Sequence, residues 1–99
     1  MERTTLTTNA AQKLLLANRR LSGTLNKHEV KGRGMAALRN NDLLDDEGRI
    51  TLFGQEVARA LTVRDTRTGQ PKLDLNATST RYGGTPAIVR DHIFMIEVL

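Results

Sequence analysis

The sequence predicts a small α+β protein, because two residue patterns follow one another along the chain. Apolar residues recur at helical spacing from residue 9 to residue 61, whereas alternating and β-branched runs dominate from residue 64 to residue 99. With 99 residues, the chain is large enough for one modest hydrophobic core and too small for two. We therefore expect one domain, residues 1–99, in which a core at residues 8–63 precedes a β-rich extension at residues 64–99.

The first helix is expected at residues 9–21. Thr8 or Asn9 can cap its N-terminus, since side-chain oxygens of these residue types accept hydrogen bonds from free backbone N–H groups. Its apolar positions are Ala10, Leu14, Ala17 and Leu21. Ser22-Gly23-Thr24 then interrupts the pattern, and residues 27–30 have room for about one helical turn.

A second helix is expected from Arg33 to Leu44. At about 100° per residue, Met35 and Leu38 lie on one side, and the opposite side is formed by Arg33, Ala36 and Asn40. The first side is apolar and suits a core. The second side combines a long basic donor, a small residue and an amide, which suits contact with another molecule.

A tight hairpin and a further helix complete the first part. Asp46-Glu47-Gly48 is a turn sequence, and residues 49–52 are β-rich enough to return against Leu43-Leu44. Thr51 is then placed to cap the next helix. The apolar positions on one face of that helix are Gly54, Val57, Ala58 and Leu61.

The last third of the chain favours strands. Residues 72–78 alternate strictly after a turn at 68–71, and a second turn at 83–86 precedes two β-rich runs, 87–89 and 93–99. The run 93–99, IFMIEVL, is apolar on both faces except at Glu97. Such a strand requires cover on both sides or a partner chain, so a homodimer through this strand is expected.

Charge is distributed unevenly over the chain. The net charge is +4, but between Lys13 and Arg39 seven basic residues face Glu29 alone, a local +6. Asp42, Asp45, Asp46 and Glu47 follow directly. A clustered basic surface suits a phosphate backbone, because neutralised phosphates release counterions. On charge alone, an ordinary solvated surface explains these basic residues equally well.

Several classes of function find no support in the residues. Cysteine is absent and only two histidines occur, so the spacings of metal sites are missing, and no metal or cofactor is expected. No nucleotide-binding loop or nucleophile motif is present, which predicts a non-enzyme. Without a signal peptide or a membrane-spanning run, a cytoplasmic location is the default expectation.

The string GRGMAALRNNDLLDDEGRITLFGQEVARAL resembles a segment of winged helix-turn-helix regulators of the MarR-like kind and related small bacterial or phage proteins. The predicted order of helix, short helix, glycine turn, helix, hairpin and helix over residues 8–63 is similar to theirs. The matching positions are Ala37, Leu38, Leu43, Leu44, Ile50, Thr51, Leu52, Gly54, Val57, Ala58 and Leu61. Thr51-Leu52 reverses the usual Leu-Thr order, the second helix is very short, and the wing turn is acidic.

The resemblance implies a transcription regulator that binds double-stranded DNA, with the helix near residues 33–41 in the major groove. Arg can bond guanine bidentately, Asn can bond adenine, and a small residue permits close approach, so we expect base contacts from Arg33, Ala36 and Asn40. The expected phosphate contacts are Lys13, Arg19, Arg20, Lys27, Lys31, Arg39 and Arg49.

A protein-binding module on the same fold is the alternative function. Such a chain would act as an adaptor or inhibitor, such as one of phage type, that docks an acidic partner or a host complex. The acidic turn at Asp45, Asp46 and Glu47 favours this alternative, because it repels a phosphate backbone. The additional β region favours it as well, since fold does not fix function.

Overall fold

Three helices and five strands form the α+β fold of the computed structural model, which describes residues 2–74, 84–89 and 92–98. The predicted α+β class is confirmed. In chain order the elements are β1 (Glu2–Leu6), α1 (Thr8–Arg19), α2 (Ala36–Asn40), α3 (Leu52–Ala60), β2 (Thr62–Arg64), β3 (Pro71–Leu73), β4 (Thr85–Val89) and β5 (His92–Val98). The strand predicted at 72–78 lies mostly outside the described residues, and its described start belongs to β3.

α1 starts and ends earlier than the sequence predicted. The N-cap is Thr7 rather than Thr8 or Asn9, because the Thr7 hydroxyl accepts a hydrogen bond from the backbone N–H of Ala10 at 3.1 Å. The backbone turns extended at Arg20, with ψ 141°, so the helix stops before Leu21. Leu21 is consequently fully exposed, and its predicted place on the apolar face of this helix is wrong.

α2 is much shorter than the predicted span from Arg33 to Leu44. Gly34 adopts the left-handed backbone region, with φ +83°, which prevents a regular helix from starting before it. At the other end Asp42 has φ +60°, and the N–H groups of Asp42 and Leu43 donate to the carbonyls of Arg39 and Leu38. This is the Schellman pattern, in which a left-handed residue closes a helix.

The segment after α2 turns back on itself as predicted, but its pairing is an isolated antiparallel bridge rather than two regular strands. Leu44 pairs with Ile50, and Thr24, which follows α1, pairs with Arg49. Leu52 already belongs to α3, so it is not part of a return strand. Thr51 caps α3 as predicted, since its hydroxyl accepts from the N–H of Gly54 at 2.9 Å.

A three-stranded sheet joins the two ends of the chain. β5 is its central strand, with β1 parallel on one side and β4 antiparallel on the other. The β-rich character predicted for 87–89 and 93–99 is confirmed for the described residues, whereas β1 was not predicted. β2 and β3 form a separate antiparallel hairpin.

The position of β5 bears on the predicted homodimer. Both edges of this strand are hydrogen-bonded within the chain, to β1 and to β4. Pairing of two chains along the edges of β5 is therefore not available. One face of the strand is buried at Ile96 and Val98, whereas Ile93 on the opposite face is 48% exposed, so the homodimer predicted through this strand stays a prediction.

One hydrophobic core serves both the helices and the sheet. Leu6 of β1 and Ile96 of β5 are fully buried in the same cluster as the helical leucines. The largest fully buried side chains are those of Leu6, Leu14, Leu38, Leu43, Val57, Leu61 and Ile96. The predicted boundary after residue 63 falls inside β2, and the residues on both sides of it share this core.

Candidate nucleic-acid interface

α2 and the turn before it have the two-sided character that the sequence predicted. Met35 and Leu38 are buried and fix one side of the segment to the core. Arg33, Ala36 and Asn40 are exposed. The predicted separation of buried and exposed positions is confirmed, and the base-reading role of the exposed ones stays a prediction.

Arg33 precedes the helix proper. It lies in a turn between Gly32 and Gly34, both with positive φ, and the N–H of Met35 donates to the carbonyl of Gly32 at 3.3 Å. Ala36 is the first residue of α2 and Asn40 the last. Five helical residues rise about 7 Å, so the exposed face is short compared with a major groove about 12 Å wide.

Three basic side chains, one on α2 and two in the segment before it, are free to bind an anion. Lys27, Lys31 and Arg39 are exposed, and within residues 2–74, 84–89 and 92–98 none of them forms an ion pair. Contact between these side chains and a phosphate would therefore break no existing ion pair with a described residue.

Arg20, by contrast, already has a partner. Its guanidinium donates two hydrogen bonds to the Glu29 carboxylate, both at 2.6 Å, and a third at 3.1 Å to the carbonyl of Thr24. The Arg20 guanidinium, helped by the backbone N–H of Asn26, lowers the pKa of Glu29 to about 2. The predicted phosphate contact from Arg20 would thus compete with a bidentate carboxylate pair.

Lys13 and Arg19 lie on α1 in different surroundings. Lys13 is half-buried, and its charge adds a small further lowering of the Glu29 pKa. Arg19 lines a groove together with Arg59 of α3 and Arg64 of β2. The structure therefore divides the predicted run of phosphate contacts among separate sites.

Asn40 borders a groove between α2 and the sheet. This groove has a volume of about 680 Å³ and is also lined by Arg3 of β1 and His92 of β5. On its apolar side the rings of Phe53 and Phe94 pack with their centroids 4.7 Å apart. Asn40 thus lies where the exposed face of α2 meets the sheet.

The acidic turn is held by one of its own carboxylates. Asp45 accepts hydrogen bonds from the backbone N–H groups of Arg49 and Glu47, both at 2.9 Å, and these bonds lower the pKa of Asp45. Asp46, Glu47 and Arg49 are exposed. Arg49 remains the basic side chain of this turn, next to two carboxylates that repel phosphate.

Sequence reasoning missed Arg3, His92, Arg59 and Arg64 as residues that line grooves. Arg3 and His92 meet through the pairing of β1 beside β5, which joins the ends of the chain. The β-branched run from Thr4 to Thr8 was a signal for β1, but it is short. Arg59 and Arg64 belong to different elements, and no spacing rule connects them.

The described residues hold no group of three or more His, Asp or Glu side chains able to bind a metal ion. In the same part of the chain no helix has the length and hydrophobicity needed to cross a membrane. Comparison with protein-family models, curated proteins and solved structures found no match.

Proposed function

We propose that this protein is a DNA-binding regulator of winged-helix type that reads the major groove with α2 and the turn before it. The observation that carries the proposal is the exposed basic face of this segment. Met35 and Leu38 anchor it, while Arg33 and Arg39 are exposed and form no ion pair with another described residue. A protruding helix with basic neighbours is what base recognition from the major groove requires.

The element order supports the winged-helix part of the proposal. α1, the hydrogen-bonded turn at residues 27–30, α2, the bridge from Leu44 to Ile50 and α3 follow one another in the order of a winged helix-turn-helix. Thr24 pairs with Arg49 and so places a third extended segment beside the wing turn. The wing itself is short, so α2 would contribute most of the interface.

Base contacts are assigned to Arg33, Ala36 and Asn40. Arg33 would bond guanine, Ala36 would allow close approach or contact a thymine methyl, and Asn40 would bond adenine. Lys27, Lys31 and Arg39 would contact phosphates and fix the position of the helix. Arg49 would reach the backbone from the wing, whereas the exposed carboxylates of Asp46 and Glu47 would stay away from it.

A protein-binding module is the second candidate. Two observations favour it: Arg20 is occupied by Glu29, and the wing turn exposes two carboxylates. Both reduce the positive potential that a DNA backbone would meet. An acidic protein partner would contact the same basic residues of α2 without a requirement for base sequence.

Fluorescence anisotropy with a random DNA duplex at two salt concentrations tests the proposal. We expect measurable affinity at low salt and a steep loss of affinity as salt rises, because counterions compete for the phosphates. On a site selected from a random duplex pool, Arg33→Ala should cost about 1–3 kcal/mol and relax the sequence preference.

The matched control is Arg67→Ala, which removes the same charge from an exposed position in the turn between β2 and β3. It should bind the selected site nearly as the unaltered protein does. If the protein does not bind duplex DNA at low salt, the DNA-binding proposal is wrong and the protein-binding candidate is favoured. Equal losses for Arg33→Ala and Arg67→Ala would show that charge, and not base recognition, carries the affinity.

A further inference from the structure

We propose that a groove between α1 and the β2–β3 hairpin binds an acidic peptide segment with aliphatic side chains from a partner protein. This site is distinct from α2, and it would give the protein a second interaction surface. We call it the hairpin groove. It consists of two adjacent depressions that share Leu15, Arg19 and Pro71.

The dimensions of the hairpin groove suit an extended chain. Its two depressions have volumes of about 430 and 290 Å³. The two depressions adjoin one another, since they share three lining residues. A single small anion would fill a fraction of this space, whereas an extended segment of a few residues can occupy both depressions.

The charges that line the hairpin groove select an acidic ligand. Arg19, Arg59 and Arg64 line the first depression, and Lys72 joins Arg19 at the second. No acidic residue is found among the described residues that line either depression. Guanidinium groups bind carboxylates through paired hydrogen bonds, so carboxylate side chains are the natural ligands here.

Existing ion pairs leave most of this charge available. Arg59 lies 3.6 Å from Glu56, but its side chain is 79% exposed, and Lys72 lies at 4.0 Å from Asp65. Both pairs are long and solvated, and such pairs are weak. Arg19 and Arg64 form no ion pair within the described parts of the chain.

The apolar lining indicates the rest of the ligand. Leu15, Val63 and Pro71 supply aliphatic surface, while Asn18 and Gln55 offer amides that can bond a peptide backbone. No aromatic ring appears among the described lining residues, so nothing there can stack on a nucleobase. These features favour an acidic peptide with aliphatic side chains over single-stranded nucleic acid.

A labelled peptide tests the proposal on the full chain. The probe is a fluorescein-labelled nonapeptide of alternating Glu and Leu, titrated by anisotropy at about 0.15 M salt, where exposed charges are screened beyond about 8 Å. We expect saturable binding that falls at least about tenfold in Arg59→Glu and in Arg64→Glu, because each reversal sets a carboxylate against the peptide. Arg67→Glu makes the same change on the same hairpin outside the groove and should stay within about twofold.

Two further peptides separate charge from shape. A Lys-Leu peptide should not bind, and a Glu-Ser peptide should bind about tenfold more weakly than the Glu-Leu peptide because it leaves the apolar lining unfilled. Equal binding of the Glu-Ser and Glu-Leu peptides would overturn the proposed aliphatic contact. The proposed site would be wrong if Arg64→Glu and Arg67→Glu lost the same peptide affinity, or if the Glu-Leu peptide did not bind at all.

Duplex DNA provides the last comparison and keeps this proposal separate from the DNA-binding one. Arg64→Glu should bind duplex DNA as the unaltered protein does, and DNA should not displace the peptide. If the Arg64→Glu variant loses affinity for duplex DNA and DNA displaces the peptide, the hairpin groove is a nucleic-acid surface and the peptide proposal is wrong. If DNA never binds but the peptide does, the groove stands without the DNA-binding proposal.

Discussion

The helical part of this protein includes local pairings, whereas the three-stranded sheet depends on pairing between segments far apart in sequence. The helical part contains local pairing, as in the bridge from Leu44 to Ile50, and its helices pack both on one another and on strands, with α2 on β1 and α3 on β4. The sheet instead joins the two ends of the chain, and its parallel register runs from Glu2 beside Phe94 to Leu6 beside Val98. Closing so long a loop costs conformational entropy, which is lost before the contacts between the strands can stabilise the fold.

This difference also separates the candidate sites. The exposed face of α2 follows from helical spacing, since Met35 and Leu38 are buried, so the sequence pattern was sufficient to place Arg33, Ala36 and Asn40 outside. The groove beside Asn40 and the hairpin groove require strands from the rest of the chain. Changes in the three-stranded sheet should therefore affect the groove beside Asn40 before the exposed face of α2, provided that the common core holds both parts together.

The largest expected effect tests that common core. Ile96 is fully buried on β5. The substitution Ile96→Ala should lower the unfolding free energy by about 2–5 kcal/mol, because it leaves a cavity. Ile88→Ala on the neighbouring strand is the matched control, since Ile88 is 63% exposed and should change stability by about 0.5 kcal/mol or less. Urea denaturation followed by circular dichroism measures both.

The shape of the transition decides whether sheet and helices are one unit. If the core is shared, Ile96→Ala lowers the midpoint of a single transition that includes the helical signal. A helical transition that stays in place while the sheet melts separately would contradict the shared core. The helices and the sheet would then be two separate folding units.

The sequence predicted the helical part better than the sheet for a physical reason. Buried positions at helical spacing, such as Val57, Ala58 and Leu61, are visible locally, and they are buried as expected. β1 has only five residues, and its inward positions, Thr4 and Leu6, can be recognised as buried only once the strand is known to pair with β5. A parallel pairing between chain ends leaves no local pattern.

The candidate site was predictable to the same degree. The outward side of α2 followed from periodicity, but the engagement of Arg20 with Glu29 depends on the turn at residues 27–30 facing α1. The assembly of Arg19, Arg59 and Arg64 around one groove depends on three elements that no spacing rule connects. Charge counting along the chain therefore grouped residues that the fold separates.

Gly54 provides the next largest effect, within the helical part. A Cβ at this position would lie 2.2 Å from the carbonyl oxygen of Leu43 and 2.7 Å from Cγ1 of Ile50. Gly54→Ala should therefore destabilise the protein by about 1–3 kcal/mol, although alanine is the better helix former. Gln55→Ala, next to it on α3 and exposed, should stay within about 0.5 kcal/mol in the same denaturation experiment. A stabilised Gly54→Ala variant would mean that α3 does not pack this closely on the bridge.

A smaller effect depends on pH and tests the pair that removes Arg20 from the basic face. The pKa of Glu29 in the folded protein, about 2, lies below its ordinary value of 4.5. A depressed carboxylate pKa stabilises the fold above the unfolded pKa, and this contribution is lost as the pH falls from about 4.5 to about 2. The stability difference between the unaltered protein and Glu29→Gln should therefore be present at neutral pH and shrink over that window.

Glu47→Gln is the control for this pH dependence, because Glu47 is exposed and forms no ion pair with a described residue. Its stability difference from the unaltered protein should change much less between neutral and acidic pH. A difference for Glu29→Gln that stays constant down to pH 2 would show that Arg20 is not bound to Glu29 in solution, which would restore Arg20 to the phosphate-binding face.

The smallest expected effect concerns Leu21, where the sequence pattern and the structure disagree. Periodicity placed Leu21 on the apolar face with Leu14, but α1 ends at Arg19 and Leu21 is fully exposed. Leu21→Ala should therefore change the unfolding free energy by less than about 0.5 kcal/mol, whereas Leu14→Ala should cost about 2–5 kcal/mol. Denaturation of the two variants under identical conditions measures the contrast. A cost for Leu21→Ala near that of Leu14→Ala would mean that Leu21 is covered in solution, either by a longer α1 or by a second copy of the chain.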